Sequence, residues 1–264
     1  MKPVALTIAG SDCSAGAGLQ ADLKTFSALG VYGLTAVTCV VAEVPGKVSR
    51  IQAVEPENLR AQIELTLANF PVAAVKSGLL FSPENVAIVA EIFEARVAPK
   101  IPLVIDPVMV ATSGDALLQG AAVETYRSRL FPLATLVTPN MSEAAALTNL
   151  PVRNVAEMYA AGEKLRREFG VPFLVKGGHL EGDRAIDLLF DDGEVTEFYA
   201  PYVVGVSTHG TGCTYSAAIA AGLAQGLALR EAIARAKEFV SRAIREHFSW
   251  ANSLGEIHAL NHQL

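Results

Sequence analysis

The chain has 264 residues, 51% of them hydrophobic and 18% charged, with a formal net charge of −6 and three cysteines. That apolar content excludes a disordered chain, and the scattered basic residues on an acidic chain exclude a nucleic-acid binder, since no run of Lys or Arg could neutralise successive phosphates. No stretch reaches the roughly 18 apolar residues that span a bilayer, the first residues lack a signal pattern, and Cys13, Cys39 and Cys213 fit neither a disulfide framework nor a Cys-x-x-Cys metal site, so a cytoplasmic protein is expected, with any thiol chemistry at one cysteine.

Val4 to Ala9 is an apolar run closed by Gly10, followed by a small-residue loop and a helical pattern over Leu19 to Leu29. Leu34 to Ala42 is β-branched and uninterrupted, which predicts a buried strand, and Glu57 to Ala68 carries Leu and Ile at helical spacing. Further strands are predicted at Val72 to Lys76, Pro102 to Asp106, Leu136 to Thr138 and Phe173 to Lys176, with helices at Glu84 to Ala95, Ala121 to Leu130 and Val155 to Phe169. Ala185 to Phe190 and Val195 to Tyr199 flank the turn Asp191-Asp192-Gly193 and read as a hairpin. Helices over Thr211 to Gln225 and Leu229 to Phe248 follow, and the tail after Trp250 is expected to be loosely held. Regular βα alternation without a linker or repeat predicts one α/β domain, a mostly parallel sheet with helices on both faces.

Ligands of open α/β sheets bind beyond the carboxyl ends of the strands, so polar residues just after strands are the candidates. Asp106 closes one strand; Asn140 and Glu143 follow another, one helical turn apart; Lys176 closes a third and enters Gly177-Gly178-His179. These supply a cation for phosphate and carboxylates for magnesium. Thr208-His209-Gly210-Thr211-Gly212-Cys213-Thr214 is Gly-rich and immediately precedes a long Ala-rich helix. Unpaired amides at such a helix start carry roughly half a positive charge and suit an oxyanion. A thiol there is expected to have a depressed pKa, letting Cys213 polarise or deprotonate an attacking hydroxyl. Each feature alone has a plainer reading: a tight turn at Gly210 to Gly212, a solvated Lys176, a capping box at Asn140 and Glu143, a turn starter at Asp106, packing thiols, and His179 and His209 as loop-orienting residues. Their shared position at the ends of successive strands argues for a site.

A rival pattern, Gly16-Ala17-Gly18-Leu19-Gln20-Ala21, matches the dinucleotide motif G-x-G-x-x-A, with Glu43 available for a ribose hydroxyl. Gly10 to Ala15 intervene between strand and glycines, too long for a tight pyrophosphate turn, and a dehydrogenase leaves Lys176 and Gly210 to Cys213 without a role.

The blocks Leu6-Thr7-Ile8-Ala9-Gly10-Ser11-Asp12, Gly16 to Phe26, Asp106-Pro107-Val108-Met109, Ser113-Gly114-Asp115, Thr138-Pro139-Asn140, Val175 to His179 and Gly210 to Cys213 resemble, in order, the hydroxymethylpyrimidine/phosphomethylpyrimidine kinases of thiamine biosynthesis. The resemblance implies a ribokinase-like fold, usually a homodimer, and transfer of the ATP γ-phosphate first to a hydroxymethyl oxygen and then to the resulting phosphate. It implies Gly210, Thr211 and Gly212 as the anion hole with Cys213 as base, Lys176 and Thr208 on the ATP phosphates, Asp106, Asn140 and Glu143 organising Mg2+ through water, and Gly10, Asp22, Glu43 and Val108 around the pyrimidine. Two positions depart from the family. Glu43 stands where Gln is common, and an ionised carboxylate accepts hydrogen bonds but donates none, a mismatch worth about 1 to 3 kcal/mol when buried. Thr112 stands where Lys is common, which predicts a weaker second phosphorylation. A pyridoxal kinase, a salvage kinase for a pyrimidine analogue and a non-catalytic pyrimidine sensor remain as alternatives.

Overall fold

The computed structural model describes residues 1–95, 100–109, 121–178, 180, 183–206, 209–252 and 255–263. Thr112, the 113–115 block, His179 and Thr208 lie outside the described residues.

The elements follow in the order β1 (Val4–Asp12), α1 (Gly18–Ala28), β2 (Tyr32–Val44), β3 (Lys47–Ala53), α2 (Pro56–Asn69), β4 (Val72–Ser77), α3 (Pro83–Glu94) and β5 (Leu103–Ile105). Then come α4 (Ala121–Thr125), β6 (Leu136–Val137), α5 (Met141–Thr148), α6 (Val155–Phe169), β7 (Phe173–Gly177), β8 (Arg184–Asp191), β9 (Glu194–Pro201), α7 (Thr211–Ala224), α8 (Leu229–Arg245), β10 (Phe248–Asn252) and β11 (Gly255–Ala259). Nine strands form one sheet in the order β3-β2-β1-β4-β5-β6-β7-β8-β9. The pairs from β2 through β1 to β7 are parallel, and antiparallel β3 and the β8–β9 hairpin close the two edges.

Alternation of side chains along β1 explains why both faces are covered. Leu6 and Ile8 point into a core shared with Leu59 and Ile63 of α2, Val89 of α3 and Leu165 of α6. Ala5 points into a second core with Phe26 of α1, Ala217 and Ala221 of α7 and Phe239 of α8. A strand buried on both faces must be apolar throughout, as β1 nearly is. The chain leaves β1 toward β2 and β3 and then crosses to β4 on its other side, so the strand order reverses between β1 and β4. A crevice forms where such a reversal occurs.

Three local differences from the predicted elements have physical reasons. The helix predicted over Ala121 to Leu130 is α-helical only to Thr125 and widens into a π-turn over Tyr126–Leu130. The wider turn aligns Tyr126, Leu130 and Phe131, all buried, on one face. Strand β3 went unpredicted because Lys47, Ser49, Arg50 and Gln52 give it the polar character of an exposed edge. The tail after Trp250, expected to be loose, forms the β10–β11 hairpin and returns to bury Leu260 and His262.

Candidate active site

One cavity of about 500 Å³ opens at the carboxyl ends of β1, β2, β4, β5 and β7. Among the residues singled out in the sequence, Gly10, Glu43, Val108, Asp106, Asn140, Glu143, Lys176 and Gly210 to Cys213 all lie on its wall. Asp22 does not; it is fully buried beneath the floor.

The wall nearest the start of α7 is held by packing rather than by a side-chain cap. Gly210 is the N-cap, with φ +80° and no side-chain hydrogen bond, and α7 has no acidic residue in its first turn. The amides of that turn are therefore left for a ligand. Thr211 adds a buried hydroxyl on the cavity wall that has no hydrogen-bond partner among the described residues. A buried polar atom left this way costs about 1–3 kcal/mol unless a ligand or water completes it.

The early glycine loop packs directly against this turn. Asp12, at the end of β1, accepts from the amides of Ser14, Gly16 and Ala17 at 2.7, 3.1 and 2.7 Å and lies 3.1 Å from Nε2 of His209. Burial pushes the Asp12 carboxyl up, but His209, Ser14 and the loop amides outweigh it and bring it down to about 2. His209 thus orients the loop, and the glycines that resembled a dinucleotide motif build the wall between β1 and α7.

A second group of charges forms the floor. Lys176 Nζ donates to Asp106 Oδ1 at 2.8 Å, and Ser216 of α7 donates to the other Asp106 oxygen at 3.2 Å. Burial raises the Asp106 carboxyl, yet Lys176 and Lys76 together hold it below its ordinary value. Asn140 and Glu143 form a reciprocal capping box at the start of α5, Asn140 Oδ1 accepting from the Glu143 amide at 2.9 Å and Glu143 Oε2 from the Asn140 amide at 2.7 Å. The plainer reading of this pair is therefore present, and it also fixes the Glu143 carboxyl at the cavity. Burial lifts that carboxyl to about 7, with Lys176 opposing and Asp106 adding to the rise.

Lys76, at the end of β4, was not singled out in the sequence. Its ammonium is fully buried at the cavity floor, 3.0 and 2.9 Å from the two oxygens of Asp22. Thr7 donates to Asp22 at 2.6 Å. Asp22 thus holds a lysine rather than forming the pocket wall, a correction to its expected place around the pyrimidine.

Cys213 requires a second correction. The expected depression of its pKa is reversed: burial pushes the thiol up to about 11, Lys76 pulling it down and Asp22 and Asp106 pushing it further up. The favourable field of a helix start is outweighed by loss of water and by two carboxylates distant in sequence, Asp22 of α1 and Asp106 just after β5. Glu43, at the other end of the cavity, also has a raised pKa, through burial and the nearby Asp12 charge, with His209 opposing.

Beyond β7 the cavity continues to a patch that sequence reading missed. Asp187 of β8 accepts from the Gly177 amide at 3.0 Å and from Lys237 of α8 at 2.6 Å. Tyr215 lies beside them, its buried hydroxyl held well above its ordinary pKa by burial and the neighbouring Asp187 carboxylate, and Val240 and Ile244 make the wall apolar. An elongated cavity with lysine and free amides at its centre, an apolar end at α8 and Glu43 at the opposite end suits a nucleotide meeting a small ring.

Among the described residues, no three His, Cys, Asp or Glu side chains cluster as a metal cage. Magnesium is usually held by substrate phosphates, waters and one or two carboxylates. Asp106 and Glu143 fit that arrangement, because a carboxyl raised to about 7 beside a second carboxylate gains from a cation. Among the described residues no helix is long and apolar enough to cross a membrane.

Residues 12–258 match the phosphomethylpyrimidine kinase family. The hydroxymethylpyrimidine/phosphomethylpyrimidine kinase of Rhizobium meliloti is 45% identical over 245 residues, covering 92% of this chain and 91% of that protein. A thiamine biosynthesis bifunctional protein of Geobacter sulfurreducens is 45% identical over 98% of this chain, which spans 52% of that longer protein. Among solved structures, the pyridoxal kinase from Staphylococcus aureus in complex with AMP-PCP and pyridoxal superposes with a TM-score of 0.88 at 33% identity, covering 100% of this chain and 94% of that one. The phosphomethylpyrimidine kinase from Clostridium difficile gives 0.80 at 38% identity, covering 92% and 100%.

Proposed function

Because the chain belongs to the phosphomethylpyrimidine kinase family, we propose that it transfers the γ-phosphoryl group of ATP to 4-amino-5-hydroxymethyl-2-methylpyrimidine and then to the monophosphate, in thiamine biosynthesis. The observation that carries this reading is the start of α7, where uncapped amides and a Thr211 hydroxyl unpartnered among the described residues share a wall with Cys213 and a cavity with the Lys176–Asp106 pair.

Phosphoryl transfer asks mainly for positioning and charge neutralisation. The amides of Thr211, Gly212 and Cys213 receive the charge that develops on the transferred group, and Lys176 holds the nucleotide phosphates on the opposite side. A thiol raised to about 11 is protonated at rest and cannot take a further proton; Cys213 orients the substrate hydroxyl, whose proton passes to an oxygen of the transferred phosphoryl group as the new P–O bond forms and the bond to ADP breaks. Asp106 and Glu143, with Asn140 fixing Glu143, would hold Mg2+, which would supply neutralisation of the phosphate charge. Gly10, Glu43 and Val108 border the ring, and Asp22 acts on this pocket from below through Lys76.

The pyridoxal kinase reading keeps two supports: the Staphylococcus aureus pyridoxal kinase shares the fold at a TM-score of 0.88, and Glu43 suits a ring edge other than that of an aminopyrimidine. We further propose a single-domain chain that works as a homodimer in the cytoplasm. The deciding experiment incubates the protein with Mg-ATP and, separately, the hydroxymethylpyrimidine, its monophosphate and pyridoxal, reading product masses. Two successive 80-Da additions (one PO3H each) to the pyrimidine are expected. Pyridoxal phosphate alone would reassign the chain, and no product from any acceptor would favour a sensor.

A further inference from the structure

The helical hydroxyls of this protein mostly bond back to the carbonyl four residues earlier: Thr25 to Ala21, Thr125 to Ala121, Thr148 to Ala144 and Ser241 to Lys237. Thr214 in the first turn of α7 departs from this habit. Its hydroxyl lies 2.9 Å from Nε2 of His262, which reaches it across 48 residues from the tail beyond β11. Thr214 is completely buried and His262 is 5% exposed.

The ring's state follows from its surroundings. The His262 ring also hydrogen-bonds the Leu260 backbone, which uses its N–H, and burial with Lys24 of α1 pushes its pKa down to about 4. A neutral imidazole has one N–H, so Nε2 accepts and the Thr214 hydroxyl donates. Lys24 in turn donates to the Ala15 carbonyl of the glycine loop at 2.8 Å. The tail is itself anchored by the Asn261 amide, which donates to the Ala243 carbonyl of α8 at 3.1 Å.

This contact falls where α7 has no cap of its own. Thr214 directly follows Cys213, and its amide closes the first turn on the Gly210 carbonyl at 2.9 Å. A hydroxyl bonded back to that carbonyl would compete for it and bend the turn. With the hydroxyl drawn to His262, the first turn is set from the side opposite the cavity, and Thr211, Gly212 and Cys213 keep their amides aimed at the ligand.

We propose that His262 is a positioning residue for phosphoryl transfer, holding the anion-binding turn of α7 in register through Thr214. This rests on the reading that the α7 start receives the transferred phosphoryl group. The test compares Thr214→Val, Thr214→Ser, His262→Phe and the double Thr214→Val/His262→Phe variant as full-length protein. Turnover is expected to fall tenfold or more in both single removals, with the KM of the hydroxymethyl acceptor unchanged, and to recover in Thr214→Ser. The double variant should be no slower than the worse single one, because both remove the same bond. Unchanged turnover in either single removal, or losses that multiply in the double variant, overturn the proposal. Hydrogen exchange of the peptide covering residues 210–216 is followed in the same variants without substrate, so a wrong assignment of the acceptor is told apart from a wrong role for His262. Faster exchange confined to that peptide is expected, and exchange equal to that of the unmodified protein refutes the role whatever the acceptor proves to be.

Discussion

A Cβ on Gly210 would lie 1.8 Å from the carbonyl oxygen of Gly16, so the anion turn and the first glycine loop touch backbone to backbone. Gly210 also has φ +80°, where an L side chain is strained. Gly210→Ala therefore meets both a clash and an unfavourable backbone, for a cost of about 1–3 kcal/mol. Turnover is expected to drop at least a hundredfold with a lowered thermal midpoint; a Gly210→Ala enzyme of ordinary activity would show that the two loops need not meet.

The Lys76–Asp22 pair makes a different prediction. Removing one member of a fully buried pair leaves the other uncompensated, at about 3–5 kcal/mol. Lys76→Met should melt well below the native protein, while Lys76→Met/Asp22→Leu should regain most of the lost stability without regaining activity. Denaturant titration of the two variants checks this, and equal destabilisation would deny that the partner charge is the cause.

At Glu43 the sign of the pH effect is fixed by its raised pKa. Only the protonated carboxyl can both donate to and accept from a ring edge, and its share shrinks as pH rises through the folded pKa. Efficiency toward the aminopyrimidine is expected to fall with rising pH on that account, and Glu43→Gln should flatten the profile and raise neutral-pH kcat/KM by about tenfold, or 1.4 kcal/mol. A Gln variant that retains the native profile would assign the pH dependence elsewhere.

Thiol labelling separates the three cysteines. Cys13 is exposed, Cys39 is buried with its pKa pushed up to about 11, and Cys213 is raised to the same value. Iodoacetamide at pH 7.5 should modify Cys13 first, leaving Cys213 largely free, as read by peptide mass; prompt labelling of Cys213 would mean that its thiolate is present at rest.

The alternation of strands and helices was readable because each element carries its own period, and most of the cavity wall was readable because strand ends in such sheets converge. Lys76 was readable in principle: a lone lysine closing the apolar run Val72 to Val75 must be paired if buried. Asp187 and Lys237 could not be paired from the sequence, since 50 residues separate them and each taken alone fits a solvated position. The pKa of Cys213 was misjudged for a related reason. Its helix start is local, whereas Asp22 and Asp106, which help raise it, arrive from α1 and from the end of β5, far away in sequence. Likewise His262 meets Thr214 only through the return of the tail, which has no periodic signal.

The strand order bears on how the site comes into being during synthesis. All nine strands of the main sheet have left the ribosome by Pro201, whereas the anion turn begins at Gly210 and its brace from His262 comes still later. A nascent chain can thus assemble the scaffold and the lysine floor while the phosphate-receiving wall is still missing. On the proposed mechanism, ATP turnover therefore awaits the last helices and the returning tail.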